Sequence, residues 1–189
     1  MIRIKRIYKK KSNPYISDYG YHLTNSKNLN SILKKGLIPG FIEKNYSAAG
    51  SFGQISRYFY NNKQPIYFLD ILDLNKIPET LRKHFENSNY NIALKVDVSK
   101  FNQSPDINML VIDYDFQVIG GFGNSLLFSR NEFKNIKSLN KILQKYDFDI
   151  PFTELKNNEE LQTELIFLTN TFTINQKIDP KYIEEVIKL

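Results

Sequence analysis

The sequence predicts an α+β fold, in which strands and helices alternate irregularly around one core. Short runs of alternating apolar and polar residues outnumber the long helical patterns. The predicted order is strand, helix, helix, strand, helix, strand, strand, helix, strand, helix. Because this order lacks the even strand–helix rhythm of a parallel doubly wound sheet, we expect mixed antiparallel sheets with helices at the periphery.

Length and composition indicate one globular domain without thiol chemistry. The 189 residues are 41% apolar and 24% charged, and a chain of this length buries about 70% of its unfolded surface. Cysteine is absent, which excludes disulfides, thiol catalysis and thiolate metal ligands. With only two histidines, we expect no metal site. No apolar run approaches the roughly 18 residues of a membrane span, so we expect a cytoplasmic protein without a membrane partner.

Residues 1–18 form the most basic part of the chain. Lysines and arginines alternate there with isoleucines. The segment is either an edge strand whose lysines discourage aggregation or an arm that contacts phosphates, and both interpretations stay open. The net charge of +6 favours polyanions such as nucleic acid, although an AT-rich genome also encodes much Lys, Asn and Ile. Residues 19–189 are expected to form a single domain.

The stretch after this arm predicts a strand, a turn and a short helix. The strand covers 19–24, and Asn25 or Ser26 is a suitable N-cap for the helix. Gly36 is the residue type expected just beyond the helix end. The apolar stripe of this helix is Leu29, Ile32 and Leu33.

Hydrophobic periodicity and the positions of helix- and strand-breaking residues predict the further elements. Helices are expected at 54–61, 78–87 and 131–146, and strands at 66–70, 93–98, 109–119 and 125–129.

The C-terminal part is predicted as a loop, two strands and a helix. An acidic, Asn-rich loop covers 147–160, and Glu164 introduces an apolar strand at 165–168. Residues 171–174 continue the sheet. The pattern from Asp179 to Ile183 predicts the start of a last helix.

Three polar residues interrupt or open predicted strands where apolar residues would serve. They are His22, Tyr67 and Glu164. Each taken singly has an ordinary structural explanation: a strand histidine, a core tyrosine and an exposed edge glutamate. Their order along the chain suggests a shared site.

This ordered set resembles the ADP-ribosyltransferase fold, in particular DarT-like and poly-ADP-ribose polymerase-like transferases. That pattern has His-x-Thr on the first strand, here His22-Leu23-Thr24, an aromatic residue on a middle strand, here Tyr67, and a glutamate opening a late strand, here Glu164. The resemblance spans about residues 19–186. It implies mixed antiparallel sheets that form a split sandwich, with NAD⁺ as the substrate.

The resemblance implies a role for each residue of the set. Glu164 would hold the ribose 2′-hydroxyl and stabilise the oxocarbenium-like state in which the nicotinamide–ribose bond breaks. His22 and Thr24 would bind ribose hydroxyls, the backbone at Leu23 would bind the nicotinamide amide, and Tyr67 would stack on nicotinamide.

Further residues refine or limit the resemblance. Gln162 lies two residues before Glu164, where some toxins of this fold have a residue that directs the acceptor. Arg57 would clamp the pyrophosphate or assist acceptor activation, or it is an exposed helix arginine.

A second stacking tyrosine is not evident. Phe59 or Tyr60 would supply the other face of the nicotinamide, while Phe85 and Tyr90 are poorly placed. Two further glutamates, Glu159 and Glu160, compete with Glu164 for the catalytic position.

The implied function is NAD-dependent mono-ADP-ribosylation of a macromolecule, with nucleic acid as the first candidate acceptor and protein as another. The basic arm, together with Tyr8, Tyr15 and Tyr19, suits the binding of single-stranded nucleic acid. By analogy, such a small lone transferase acts as a bacterial or phage toxin or defence effector, with an antitoxin or immunity partner. The alternatives are an RNA 2′-phosphotransferase, which typically needs more arginine and histidine, and a non-catalytic nucleic-acid-binding module on the same fold.

Overall fold

A six-stranded antiparallel sheet forms the centre of the described structure, which is a computed structural model. The structure describes residues 17–41, 63–73, 79–107, 117–119, 125–127, 137–146 and 149–189. The strands are β1 (Tyr19–Thr24), β2 (Gly40–Phe41), β3 (Lys63–Gln64), β4 (Ile66–Leu69), β5 (Ile92–Asp97), β6 (Ser104–Pro105), β7 (Gln117–Ile119), β8 (Ser125–Leu127), β9 (Asp149–Pro151), β10 (Thr171–Ile174) and β11 (Ile183–Lys188). The α-helices are α1 (Leu29–Lys35), α2 (Glu79–Asn87), α3 (Lys137–Gln144), α4 (Phe152–Asn157) and α5 (Glu159–Thr169).

The main sheet has the strand order β11-β5-β1-β4-β10-β6, and every neighbouring pair is antiparallel. Strands β1 and β4 therefore lie in the middle, each between two neighbours. Two smaller sheets, β2–β3 and β7–β8–β9, complete the strands of the described residues. The predicted α+β class with antiparallel pairing is thus confirmed.

The principal core covers one face of this sheet. Side chains of residues that are directly opposite each other on neighbouring strands lie on the same face. Phe68 and Phe172 are opposite each other in the β4–β10 register, and their rings stack at 5.3 Å. Such a pair contributes about 0.5–1.5 kcal/mol beyond the burial of its area. The other buried members of this cluster are Leu37, Ile66, Ile92, Leu94, Val96, Val98, Phe101, Ile166, Ile174 and Ile178.

A second, smaller cluster occupies the opposite face. Leu23, Leu69 and Ala93 are buried there, and α2 contributes the half-buried Phe85. Phe85 contacts the ring of Tyr90 at 5.9 Å. The alternation of β1 therefore divides its residues, because odd-numbered side chains enter this cluster and even-numbered ones face the principal core.

The turn after β1 forms as its sequence predicts. The side chain of Asn25 accepts a hydrogen bond from the Lys27 amide and begins a short 3₁₀ helix, Ser26–Asn28, before α1. Gly36 ends α1 at φ +82° and ψ −176°, a conformation that essentially only glycine adopts. The next residue then exchanges two backbone hydrogen bonds of 2.9 Å with Ile178. One detail was wrong: Leu33, predicted to be buried, is 47% exposed.

Several predicted elements lie close to the observed ones. Helix α2 and strands β4 and β5 match their predicted ranges. Strands β7 and β8 and helix α3 lie within their predicted ranges. The predicted helix at 54–61 and residues 1–16 of the basic arm lie outside the described residues.

The predicted strand at 165–168 was wrong, because these residues belong to helix α5. The Asn158 side chain accepts a hydrogen bond from the Leu161 amide and thereby caps this helix. Leu161, Leu165 and Ile166 are all fully buried. These positions form a helical stripe, and a four-residue apolar run within it is indistinguishable from a buried strand by pattern alone.

Two other C-terminal predictions were also wrong. Residues 147–160, expected as a loop, contain β9, α4 and the start of α5. The helix expected from Asp179 is a single 3₁₀ turn, Pro180–Tyr182, followed by β11. Ile183, Val186 and Ile187 are β-branched, and the strand pairs with β5 along its length. Tertiary pairing therefore overrode the helix-start signal of Pro180.

Candidate functional site

His22 lies in the middle of the sheet, in a row of apolar side chains. It is opposite Leu94 on β5, and the β1–β4 register, in which Tyr21 pairs with Leu69, places it opposite Phe68. The imidazole and Phe68 rings are 5.8 Å apart at 58°. His22 is half-buried, and its neighbours across the sheet, Leu94 and Phe68, belong to the core.

One hydrogen bond determines the tautomer of His22. Its Nδ1 is 3.0 Å from the backbone oxygen of Tyr67. A carbonyl oxygen only accepts, so Nδ1 carries the hydrogen and donates it. Burial lowers the pKa of His22 below the ordinary value of 6.5, and the hydrogen bond to Tyr67 opposes that shift only in part. At neutral pH the ring is therefore uncharged, and Nε2 presents a lone pair as an acceptor.

Thr24 lies on the same face as His22, two residues further along β1. It is 5% exposed, and its Oγ1 accepts a hydrogen bond of 3.3 Å from the Asn28 side chain. Leu23, between them, is 8% exposed and is paired with Ala93 inside β1–β5. The His-x-Thr pattern thus places two polar groups on one face of the sheet.

The side chain of Tyr67 belongs to the other face of the sheet. Tyr67 precedes Phe68 on β4, and successive strand residues point to opposite faces. Only its backbone carbonyl meets His22. Across the sheet, Tyr67 is opposite Thr173 of β10. The side chains of Tyr67 and His22, which were expected to share one site, therefore lie on opposite faces of the sheet.

Glu164 lies within helix α5 and not at the start of a strand. It is half-buried, and five residues separate it from Asn170, which ends the helix in the left-handed conformation at φ 51°. The strand that pairs with β4 begins at Thr171, opposite Leu69. The strand predicted at 171–174 is therefore confirmed as β10, and Glu164, predicted to open a strand at 165–168, lies in the preceding helix.

Sequence reasoning missed the hydroxyl cluster at this helix-to-strand turn. The Oγ1 of Thr171 donates to the Oγ1 of Thr169 at 2.9 Å, and both residues are buried. The signal was present in the sequence Thr169-Asn170-Thr171, because Asn is a common left-handed residue after a helix. That signal would have ended a helix, not a strand, at residue 169.

Gln162 holds two helices together. It is 9% exposed, and its Nε2 donates to the carbonyls of Leu155 at 2.8 Å and Lys156 at 2.7 Å. These carbonyls belong to the last turn of α4, where helices leave acceptors unpaired. Both amide hydrogens are therefore used inside the protein, so the geometry gives Gln162 a structural position and not one that faces an acceptor.

The structure describes only some of the other predicted site residues. Arg57, Phe59 and Tyr60 lie outside the described residues. The carboxylates that compete with Glu164, Glu159 and Glu160, are exposed in the first turn of α5. Within the described part of the chain, no three His, Asp or Glu side chains gather as a metal site would need, and no helix is long and apolar enough to cross a membrane.

Comparisons with known proteins found no matching family model, no similar curated protein and no similar solved structure.

Proposed function

We propose that this protein binds NAD⁺ beside the His22–Thr24 segment of β1 and transfers ADP-ribose to a macromolecular acceptor, with nucleic acid as the first candidate. One observation carries the proposal: His22 is a neutral histidine whose Nδ1 is held by the Tyr67 carbonyl. An imidazole fixed in this way offers Nε2 to a hydroxyl group such as that of ribose. Thr24 on the same face supplies a second polar group.

The proposed reaction is a displacement at the anomeric carbon of the nicotinamide-bearing ribose. The bond from this carbon to the nicotinamide nitrogen breaks, and nicotinamide leaves as a neutral molecule. An oxygen or nitrogen of the acceptor forms the new bond and loses its proton to solvent or to a carboxylate. Positive charge accumulates on the ribose as the bond breaks, and a nearby carboxylate stabilises it.

Glu164 is the carboxylate that the proposal assigns to this role. Its half-buried position on α5 separates it from Glu159 and Glu160, which are exposed to solvent. The helix leads directly into β10, and Phe172 on β10 lies in the same cross-sheet row as His22.

A non-catalytic binding module on the same fold is the second candidate. Two observations favour it: Thr171 opens the strand beside β4, and the Tyr67 ring faces away from His22. Such a module would use the positive charge of the chain to bind nucleic acid without cleaving NAD⁺.

Turnover of NAD⁺ labelled in its adenylate moiety distinguishes the two candidates. The chain is incubated with the label and separate pools of single-stranded DNA, RNA and protein, and both nicotinamide release and acceptor labelling are measured. The transferase requires label on one pool and loss of that label in Glu164→Gln but not in Glu159→Gln or Glu160→Gln. Binding to one nucleic-acid pool without nicotinamide release would establish the binding module.

A further inference from the structure

The outer edge of β11 has no strand partner among the described residues. Strand β11 ends the order of the main sheet, with β5 on its inner side. A free edge presents a row of backbone donors and acceptors that can pair with another strand. Two apolar side chains at this edge are exposed, Val186 by 42% and Leu189 by 47%.

We propose that β11 pairs with β11 of a second copy of this chain, antiparallel about a two-fold axis, so that two sheets join into one. This surface lies two strands away from β1. The inference therefore does not depend on the proposed function.

The backbone determines which residues can meet across such an axis. The Leu189 amide donates to the Asn91 carbonyl at 3.0 Å, so Leu189 directs its backbone groups inward, toward the β5 side. Because successive strand residues alternate, the backbone groups of Val186 and Lys188 point outward. In an antiparallel pair, outward residues must be opposite outward residues. Val186 can therefore be opposite Val186 of the second copy. Alternatively, each copy shifts by one residue along its strand, which places either Glu185 or Ile187 on the two-fold axis.

Charge selects among these registers. With Val186 on the axis, Lys188 of each copy lies closest to the bulged Glu184 of the other, and the two contacts are related by symmetry. With Glu185 on the axis, two glutamates are directly opposite and repel each other. With Ile187 on the axis, no charged residues are opposite. Only the first register forms two opposite-charge pairs and brings two exposed valines together.

The same edge is protected against unrelated strands. A lysine at its end and a bulge between Ile183 and Glu185 both discourage arbitrary pairing. Glu184 also contacts Lys95 of its own copy at 3.5 Å, so in the dimer its carboxylate would be shared between two lysines. The paired segment is short, so the area is below the roughly 1,600 Å² of a standard interface, and the association is expected to depend on concentration.

Sedimentation equilibrium over a wide range of chain concentration tests the pairing. The wild-type chain should show a monomer–dimer equilibrium, and Val186→Lys should raise its dissociation constant at least tenfold because two lysines would meet on the axis. Ile38→Lys is the matched control: Ile38 is also an exposed apolar residue, at 58%, and lies far from β11 in the chain. A wild-type chain that stays monomeric, as it would if its own N-terminal segment covered the edge, overturns the proposal. So does an equal effect of both lysine variants.

A charge exchange tests the register itself. Glu184→Lys and Lys188→Glu should each weaken self-association about tenfold, because each creates two like-charge pairs across the axis. An equimolar mixture of the two variants should associate again, since every Lys then meets a Glu in the heterodimer. Unchanged thermal unfolding of each variant shows that the fold is intact. If the mixture dimerises no better than the separate variants, the proposed register is wrong.

Discussion

The N-terminal segment, residues 19–41, and the C-terminal segment, residues 149–189, contribute to the same sheet but differ in what determines their structure. The first is specified by local chemistry: a capping Asn25, a glycine at positive φ and alternating strand residues. The second is specified by packing, since α5 and β11 acquire their form against α4, β10 and β5. Predictions from local pattern therefore succeed over most of the first segment, whereas in the second they succeed for β10 and fail for α5 and β11.

Removing the ring of Phe172 should have the largest effect, because this residue joins the two segments. Phe172 is completely buried and stacks on Phe68, the neighbour of His22. We expect Phe172→Ala to lower the free energy of unfolding by about 3–5 kcal/mol in urea titrations. A loss below about 1 kcal/mol would show that β10 does not belong to the core that supports His22. Phe172→Leu should cost clearly less, because it leaves a smaller cavity.

Gly36→Ala should be the next most destabilising change. Gly36 has φ +82°, and a Cβ atom there would collide with the Ile178 carbonyl. Backbone strain of this kind costs about 1–3 kcal/mol. The matched change is Gly40→Ala, where the nearest atom would be the end of the Gln64 side chain at 3.2 Å. Thermal unfolding should be lowered strongly by the first change and little by the second, and equal shifts would contradict the local account of this turn.

The variant Gln162→Leu distinguishes a structural role of Gln162 from a role in acceptor recognition. The change leaves the carbonyls of Leu155 and Lys156 without their donor, which costs about 1–3 kcal/mol for buried groups. Thr163→Ala, on the same helix, is the control, and we expect a change of about 0.5 kcal/mol or less. If Gln162→Leu left stability unchanged but altered acceptor labelling, the acceptor-directing role predicted from sequence would be restored.

The stability of the protein should also fall at acidic pH because of His22. Its pKa is lowered in the folded protein, so below about pH 6.5 the unfolded chain binds the proton more readily and is favoured. The slope that this group contributes to stability against pH is at most about 1.4 kcal/mol per pH unit. Well above about pH 6.5 His22 is neutral in both states, so its contribution to this slope disappears. His22→Asn keeps a donor for the Tyr67 carbonyl but cannot ionise. Urea titrations between pH 5 and about 8 should therefore give a flatter profile for this variant, and an identical profile would mean that His22 does not titrate as described.

Sequence predicted the central part of the fold because its signals are local. The strand of His22, the cap at Asn25 and the stop at Gly36 each depend on residues within a few positions of one another. The short apolar run at 165–168 contains no helix signal, and the adjacent signal at Thr169-Asn170-Thr171 marks only where a helix ends. Its helical form follows from Asn158 seven residues earlier and from burial against distant elements, which no short window contains.

The candidate site was predictable only in part for the same reason. The sequence placed His22 and Thr24 on one strand, and alternation puts them on one face. The same alternation puts Tyr67 on the opposite face once the β1–β4 register is known, and that register depends on the whole sheet. The hydrogen bond from His22 to the Tyr67 backbone had no sequence signal, since a carbonyl is present at every residue.

Calorimetric titration of NAD⁺ into the chain tests the His22 site most directly. His22→Asn removes the Nε2 acceptor and keeps the donor to Tyr67, so at pH 7.5 its unfolding should match the wild type. We expect saturable binding to the wild-type chain and affinity weakened at least tenfold in the variant, a loss of about 1.4 kcal/mol or more. Absence of binding to the wild-type chain, or equal affinity in the two proteins, would contradict an NAD⁺ site at His22.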